Sequence, residues 1–410
     1  MRVKHLTLIL LLASTSAFAR PVSDAEYAQL IARFQAKLDA ERIRQKIPGA
    51  TAAFVLPDGR MGKVASGYAD VERKVVMTPD SRMLGGSTGK TYVAATAIKL
   101  TEQGKWSLDD KLSKYLGDQP WFKRLPNGDA ITIRMLLRHR SGIDNYYNNP
   151  RFFEWLGEKT RADPKFQLAQ SDIIDFVLDR PPLFKPDYGF HYTDVGYILA
   201  GLAMEKATGR SYYDLLQENL LDPVGLSLST RQISPNIPGL AQGYSNGVNP
   251  LLMGPKMIGA DGVMTYDPAI EYTGGGLVTN SGDLARWATA LYSGKVLQPA
   301  SLAAMLERPA NQAGDGEKRP GYYGMGVGVR NSTPRLSPGY GHDGYIPGYQ
   351  TSMHYYPKLH ITVTFQINTE DGIWEEGQPG HADIDAMQLA LANVVADAVD
   401  DAPMKRKRKK

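Results

Sequence analysis

The sequence predicts an α/β fold (an α+β sandwich) in which one antiparallel sheet, built from both ends of the chain, is flanked by helices. Three observations support this prediction. A strand hairpin lies near the N-terminus, extended patterns return only near the C-terminus, and the part between them is helical and rich in loops. We therefore expect the middle, about residues 80–320, to form a large inserted helical lobe beside the sheet.

The N-terminal part of the chain reads as a helix followed by the hairpin. Ser23 is placed to cap a helix over residues 23–46, whose apolar side chains recur on one face. Pro48-Gly49 ends this helix. The pattern then predicts two strands, at 50–56 and 63–68, joined by a turn.

Further elements follow the same patterns along the chain. Helices are predicted at 131–137, 171–178, 192–208 and 383–398, and strands at 323–330, 349–356 and 360–368. The predicted organisation is one domain over residues 20–402. Its sheet lobe comprises about 20–80 and 320–402. A cleft between the two lobes is the expected place for a site.

The first 19 residues read as a secretory signal peptide. A basic start is followed by a short apolar run and by Ala17-Phe18-Ala19, a typical cleavage site. No later segment is long and apolar enough to span a membrane. The chain has no cysteine, which excludes disulfides, thiolate metal sites and a cysteine nucleophile. We predict an exported protein, periplasmic or secreted.

The net charge of +4 comes from the ends of the chain. Eight of the 47 basic residues lie in the signal peptide and the tail at 405–410, which leaves 39 against 43 acidic residues, or about −4 for the body. Such a body is not expected to bind nucleic acid. The tail, 403–410, is either a solvated terminus or a weak contact for anionic membrane surfaces.

The strongest chemical signal is Ser87 followed by Lys90 at the start of a predicted helix. Residues three apart on a helix are surface neighbours, so the hydroxyl and the amine lie together. The free N–H groups of the first turn supply positive potential where an alkoxide would form. This spacing predicts a nucleophile with its own proton acceptor.

Residues 84–90 allow three other interpretations. A phosphate-binding loop needs a glycine where Leu84 stands, five residues before Gly89. Residues 85–89 also match the nucleophile elbow of α/β-hydrolases, but that elbow follows a core strand, whereas 77–82 read as a polar linker. The third interpretation is that Ser87 and Lys90 only open a helix.

Two downstream segments carry the partners that such a nucleophile needs. Tyr192-Thr193-Asp194 enters a helix, and His342-Asp343-Gly344 precedes a strand. With Ser87 and Lys90, the order Ser-x-x-Lys, Tyr-x-Asp and His-x-Gly resembles the three motifs of the serine β-lactamase and penicillin-binding protein family. This family includes class C β-lactamases, DD-carboxypeptidases, D-aminopeptidases and esterases.

The resemblance covers roughly residues 25–395 and implies a β-lactamase/transpeptidase-like fold and roles for individual residues. Ser87 would be acylated, Lys90 would accept or relay its proton, and Tyr192 would be the partner base or acid. His342 would keep Tyr192 and the leaving atom in an electropositive setting. The N–H groups of Ser87 and Tyr345 would bind the oxyanion, and Gly344 would let the strand approach the substrate. No metal or organic cofactor is implied.

Two departures from the family pattern bear on the substrate. Asp194 stands where asparagine is usual, and it is open whether it pairs with Lys90 or accepts a substrate amine. Asp343 would repel a substrate carboxylate. These residues predict a neutral or amine-bearing acyl substrate. His139 and His191 are interpreted as structural.

We therefore predict a secreted serine hydrolase that cleaves an amide, peptide or ester bond of a D-amino-acid or related small substrate through an acyl-enzyme. A DD-carboxypeptidase or class C-type β-lactamase is the alternative within the family. The alternative without catalysis is a penicillin-binding or sensor protein of the same fold. Asp194, in place of the usual asparagine, is the residue that leaves this alternative open. The sequence leaves the oligomeric state open.

Overall fold

Both ends of the chain contribute strands to one antiparallel sheet in the computed structural model, which describes residues 20–163, 166–245, 254–310, 321–370 and 381–400. Its strands are β1 (Gly49–Val55), β2 (Met61–Asp70), β3 (Val75–Val76), β7 (Gly321–Tyr323), β8 (Gly328–Arg330), β9 (Gly339–Ile346), β10 (Tyr349–Tyr356) and β11 (Ile361–Ile367). Their order is β3-β2-β1-β11-β10-β9-β8-β7. The predicted sheet from both chain ends is confirmed.

The helices lie mostly between these two groups of strands. They are α1 (Asp24–Arg44), α2 (Gly89–Glu102), α3 (Ser113–Leu116), α4 (Ile133–Leu137), α5 (Pro150–Ala162), α6 (Gln170–Asp175), α7 (Asp194–Thr208), α8 (Tyr212–Leu216), α9 (Asp222–Val224), α10 (Ser281–Tyr292), α11 (Pro299–Leu306) and α12 (His381–Val399). A second sheet, which the sequence did not predict, joins β4 (Met83–Leu84), β6 (Leu277–Thr279) and β5 (Thr230–Arg231) in that order.

The large sheet separates two hydrophobic cores. One face packs against α1 and α12, through side chains such as Phe34, Phe365 and Met387. The other face packs against the helical lobe, to whose core β10 contributes Met353. Because successive strand residues point to opposite faces, neighbouring residues of β9 face different cores.

Local sequence explains the ends of two helices. Ser23 caps α1, since its side chain accepts from the N–H of Glu26 and the Glu26 side chain returns to the Ser23 N–H. Gly209 ends α7 in the left-handed conformation, with φ 68°. The predicted helix at 23–46 is therefore present as α1.

The structure differs from the predicted elements at three places. The single strand expected at 323–330 is divided between β7 and β8. Residues 339–346, expected to precede a strand, form β9, which pairs with β10 along its whole length. Tyr192 lies just before α7 and not within it.

The predicted signal peptide at 1–19 and the basic tail at 403–410 lie outside the described residues, so both stay predictions. Among the described helices, none combines the length and the apolar character that a bilayer span requires.

Candidate functional site

Ser87 lies in a single 3₁₀ turn, Gly86–Thr88, that leads directly into α2. The hydroxyl of Thr88 closes this turn by donating to the carbonyl of Gly85 at 2.8 Å. Gly86 has φ 53°, a left-handed conformation that glycine adopts without strain. The turn thus presents a partly exposed serine at the N-terminal end of a buried helix.

Lys90 lies one helical turn after Ser87 and is completely buried. Its Nζ donates to Ser87 Oγ at 3.1 Å, to Asp194 Oδ1 at 2.5 Å and to the carbonyl oxygen of Gly274 at 2.5 Å. An ammonium group has three N–H donors, and these contacts use all of them. The structure therefore brings the Ser87 hydroxyl and the Lys90 amine together, as the sequence predicted.

Asp194 takes the first of its two possible roles and pairs with Lys90. It is the first residue of α7, where the helix dipole also favours a carboxylate. The Asp194 side chain keeps 21% of its surface exposed, so the ion pair lies at the edge of the cleft and not deep in the core.

Tyr192 lies beside the same ammonium group. Lys90 Nζ is 4.8 Å from the centroid of the Tyr192 ring, within the range of a cation–π contact. The ammonium group therefore lies against the ring that carries the Tyr192 hydroxyl. The first two sequence motifs thus converge on Lys90.

His342 lies near Tyr192, but its surroundings favour a neutral ring over the electropositive role that the resemblance implied. Its Nδ1 donates to the carbonyl of Asp343 at 2.5 Å, so its Nε2 accepts from the hydroxyl of Tyr323 at 2.8 Å. Burial, helped by the nearby charge of Lys90, lowers the pKa of His342 to about 4. The imidazole is therefore neutral at pH 7, and its ring centroid is 6.2 Å from that of Tyr192.

Gly344 brings the edge of β9 against the turn that carries Ser87. β8 pairs only with Gly339–Gly341, which leaves the later part of β9 facing this turn. A Cβ atom at Gly344 would lie 2.0 Å from the carbonyl oxygen of Gly85, so only glycine fits there. Gly344 was expected to let the strand approach the substrate. In the structure it lets the strand approach the backbone of Gly85, two residues before Ser87.

Tyr345 follows at the same edge of the sheet. A Cβ atom at Gly86 would lie 2.8 Å from the backbone nitrogen of Tyr345, which places that nitrogen next to the serine turn. The Tyr345 side chain is 43% exposed and its hydroxyl donates to Glu370 Oε2 at 2.7 Å. This position is compatible with an oxyanion site made by the N–H groups of Ser87 and Tyr345.

The predicted contact of Asp343 with substrate is contradicted. Its carboxylate pairs with Arg330 at 2.7 Å and accepts from Ser352 Oγ at 2.9 Å. Arg330 also binds Asp385 of α12, on the face of the sheet opposite the helical lobe. Since His342 points toward the lobe, its neighbour Asp343 must point away from it.

Glu271 is an acidic residue of the site that the sequence patterns did not indicate. Its Oε2 accepts from Gln232 Nε2 at 3.1 Å, and a Cβ atom at Gly275 would lie 2.8 Å from both Glu271 oxygens and from the carbonyl oxygen of Gly86. Burial raises the pKa of Glu271 to about 7, against the opposing effect of Lys90. No periodicity or motif marks this residue in the sequence.

Two more groups of the site were not predicted. Tyr323 links His342 to the aromatic rings around Tyr192, and His139, interpreted as helix-end packing, lies among those rings. His191, by contrast, turns to Asp144, whose carboxylate is 3.1 Å from His191 Nε2.

The curated relatives of this chain include penicillin-binding proteins. It is 28% identical over 313 residues to penicillin-binding protein 4* of Bacillus subtilis, covering 74% of this chain and 64% of the relative. It is 30% identical over 200 residues to penicillin-binding protein 4 of Amycolatopsis lactamdurans, covering 48% of each. The chain thus spans less than two thirds of the length of these relatives.

Solved structures share the fold over almost the whole chain. A D-stereospecific amidohydrolase from Streptomyces sp. matches with a TM-score of 0.71 at 22% identity, over 87% of this chain and 98% of the other. The D-amino acid amidase of Ochrobactrum anthropi SV3 matches with a TM-score of 0.69 at 22% identity, over 89% and 99%. The Beta-lactamase family model matches residues 28–388. The chain therefore belongs to the beta-lactamase family.

Proposed function

We propose that this protein is a serine hydrolase that forms an acyl-enzyme on Ser87. The observation that carries the proposal is the contact of 3.1 Å between Lys90 Nζ and Ser87 Oγ at the start of a buried helix. A bare serine hydroxyl is a weak nucleophile and needs a neighbouring group that stabilises its alkoxide. Family membership supports the same chemistry.

The contacts of Lys90 support Tyr192 as the group that accepts the serine proton. Because Lys90 is paired with Asp194 and donates to a carbonyl, we infer that it acts as a cation that stabilises the Ser87 alkoxide and that it is not the proton acceptor. Tyr192, as a phenolate beside that ammonium, accepts the serine proton. The alkoxide adds to the substrate carbonyl, and Tyr192 returns the proton to the leaving nitrogen or oxygen. Water then releases the acyl group from Ser87.

The charges around the site favour a substrate with an amine and without a free carboxylate. Asp194 and Glu271 lie near Lys90, while His342 is neutral and Arg330 is held on the far face of the sheet. A substrate carboxylate would therefore approach the negative charge of Asp194, while the nearby ammonium group of Lys90 is already paired with that acid. Asp343 does not support this substrate class, because its carboxylate faces away from the site. The argument rests instead on Asp194 and Glu271. We infer that a D-amino-acid amide or ester is the substrate class, in agreement with the names of the two structural neighbours.

The substrate class is tested by comparing kcat/KM for D-phenylalanine amide with kcat/KM for a peptide ending in a free D-Ala-D-Ala carboxylate. We expect the amide to be preferred, and N-acetylation of its amine to lower kcat/KM. Preference for the free acid would contradict the substrate class and favour a carboxypeptidase. Stable acylation without release would favour a binding or sensor protein.

Export also belongs to this proposal. The signal-like segment at 1–19 supports it. Expression of the full chain in a bacterium, followed by N-terminal sequencing of the periplasmic fraction, should show a chain that begins at Arg20.

A further inference from the structure

We propose that His139 is a positioning residue that sets the place of Tyr192, a role that rests on the proposed function. His139 is fully buried and follows α4 in the helical lobe. It touches the Tyr192 segment at three points, which involve its backbone, its ring nitrogen and its ring face. Each contact concerns a different part of that segment.

Two hydrogen bonds hold the backbone on both sides of Tyr192. The carbonyl oxygen of His139 accepts from the N–H of His191 at 3.0 Å. His139 Nδ1 accepts from the N–H of Thr193 at 3.2 Å. The residues before and after the tyrosine are therefore both tied to His139.

The imidazole ring then holds the tyrosine side chain. The ring centroids of His139 and Tyr192 are 4.2 Å apart, with an angle of 37° between the planes. On its other sides the imidazole contacts Tyr323, at 4.8 Å, and Tyr197, at 5.1 Å. Tyr323 in turn donates to His342, so His139 lies between the second motif and the third.

The hydrogen bonds also define the charge of this imidazole. Nδ1 accepts a hydrogen bond from the N–H of Thr193, so the neutral ring carries its proton on Nε2. Nε2 is buried and has no hydrogen-bond partner among the described residues, so it faces the surrounding rings. Burial and the nearby Lys90 keep the pKa of His139 well below its usual value. A neutral His139 ring can pack against Tyr192 without adding a second positive charge to that of Lys90.

The backbone of His139 determines which substitution is informative. Its φ is 55°, a left-handed conformation that asparagine tolerates better than most residues. His139→Asn keeps an acceptor near the position of Nδ1 and accepts this φ, but it removes the ring that packs against Tyr192. The variant therefore separates packing from backbone strain.

The test is a double-mutant cycle between His139→Asn and Tyr192→Phe, with D-phenylalanine amide as substrate. We expect His139→Asn to lower kcat by up to about 10²-fold with little change in KM, because misplacing a catalytic group acts on the chemical step. In the Tyr192→Phe background the same change should have almost no further effect, since residues that act as a unit are not additive.

His360→Asn is the matched control, because His360 also has a left-handed φ, of 50°, and its Nδ1 is 3.0 Å from the hydroxyl of Tyr355. It lies between β10 and β11 and should leave kcat unchanged. Urea unfolding of every variant shows whether it is folded. If His139→Asn does not fold, His139→Gly, which also adopts this φ and lacks the ring, replaces it in the cycle.

Full activity of His139→Asn, or an equal loss in both backgrounds, would overturn the positioning role and leave the proposed function intact. Wild-type activity of Tyr192→Phe or of Ser87→Ala would instead overturn the proposed function. The two failures are therefore distinguishable.

Discussion

Replacing Lys90 with methionine is expected to lower kcat/KM by about 10²- to 10³-fold, the loss that follows removal of one preorganised donor to a developing oxyanion. Lys90 Nζ donates to Ser87 Oγ and is paired with Asp194. Without the ammonium, the alkoxide loses its donor and meets the uncompensated charge of Asp194. Steady-state kinetics on D-phenylalanine amide measure the loss.

A double variant distinguishes two effects of Lys90→Met: the loss of the ammonium donor and the unpaired negative charge left on Asp194. In the double variant Lys90→Met with Asp194→Asn, the negative charge is removed as well, so part of the activity should return. Lys90→Arg should not restore it, because a planar guanidinium does not fit a buried point-charge site. Near wild-type activity of Lys90→Met would contradict the role of this lysine.

Tyr192→Phe is expected to lower kcat by about 10²- to 10⁴-fold, the usual range for loss of a general acid–base. The ring remains, so its packing against His139 and the cation–π contact with Lys90 are retained, and only the hydroxyl is lost. KM for the amide should change little. Single-turnover measurements should show that acylation is the slowed step.

Tyr188→Phe is the matched control, since Tyr188 lies in the same segment and is 76% exposed. It should keep the activity of the wild type. If Tyr192→Phe slows only the release of the acyl group, Tyr192 does not serve as the base for Ser87, and the proton must pass to another group.

The fold could be predicted from the sequence where local pattern and tertiary structure agree. The helix that begins after Ser23 and the first hairpin have clear caps, turns and periodicity, and both are present. β9 was missed because its sequence, GYGHDGYI, reads as a glycine-rich turn. Pairing with β10 along the whole strand overrides that local preference.

The error about Asp343 follows from the missed strand. In a turn, His342 and Asp343 could both face the cleft, but on a strand neighbouring residues must face opposite sides. The lowered pKa of His342 could not be predicted either, because burial is a property of the folded chain and cannot be read from the residue type. The motifs thus identified which residues come together, but not how each is oriented or charged.

His139 and Glu271 could not be predicted as parts of the site for a related reason. Their roles depend on contacts between segments far apart in the chain, such as those of His139 with residues 191–193 and of Glu271 with Gln232. Ser87 and Lys90 were accessible to sequence analysis because their relation is local, one turn of one helix.

The central claim, that Ser87 is the nucleophile, is tested most directly by intact-mass spectrometry after treatment with a fluorophosphonate. We expect one phosphonyl group per chain, located by peptide mapping at Ser87. The adduct should be absent from folded Ser87→Ala and retained in Ser81→Ala, a partly exposed neighbour in sequence. Labelling of Ser87→Ala to the same extent as the wild type, or a wild-type adduct on another residue, would contradict it.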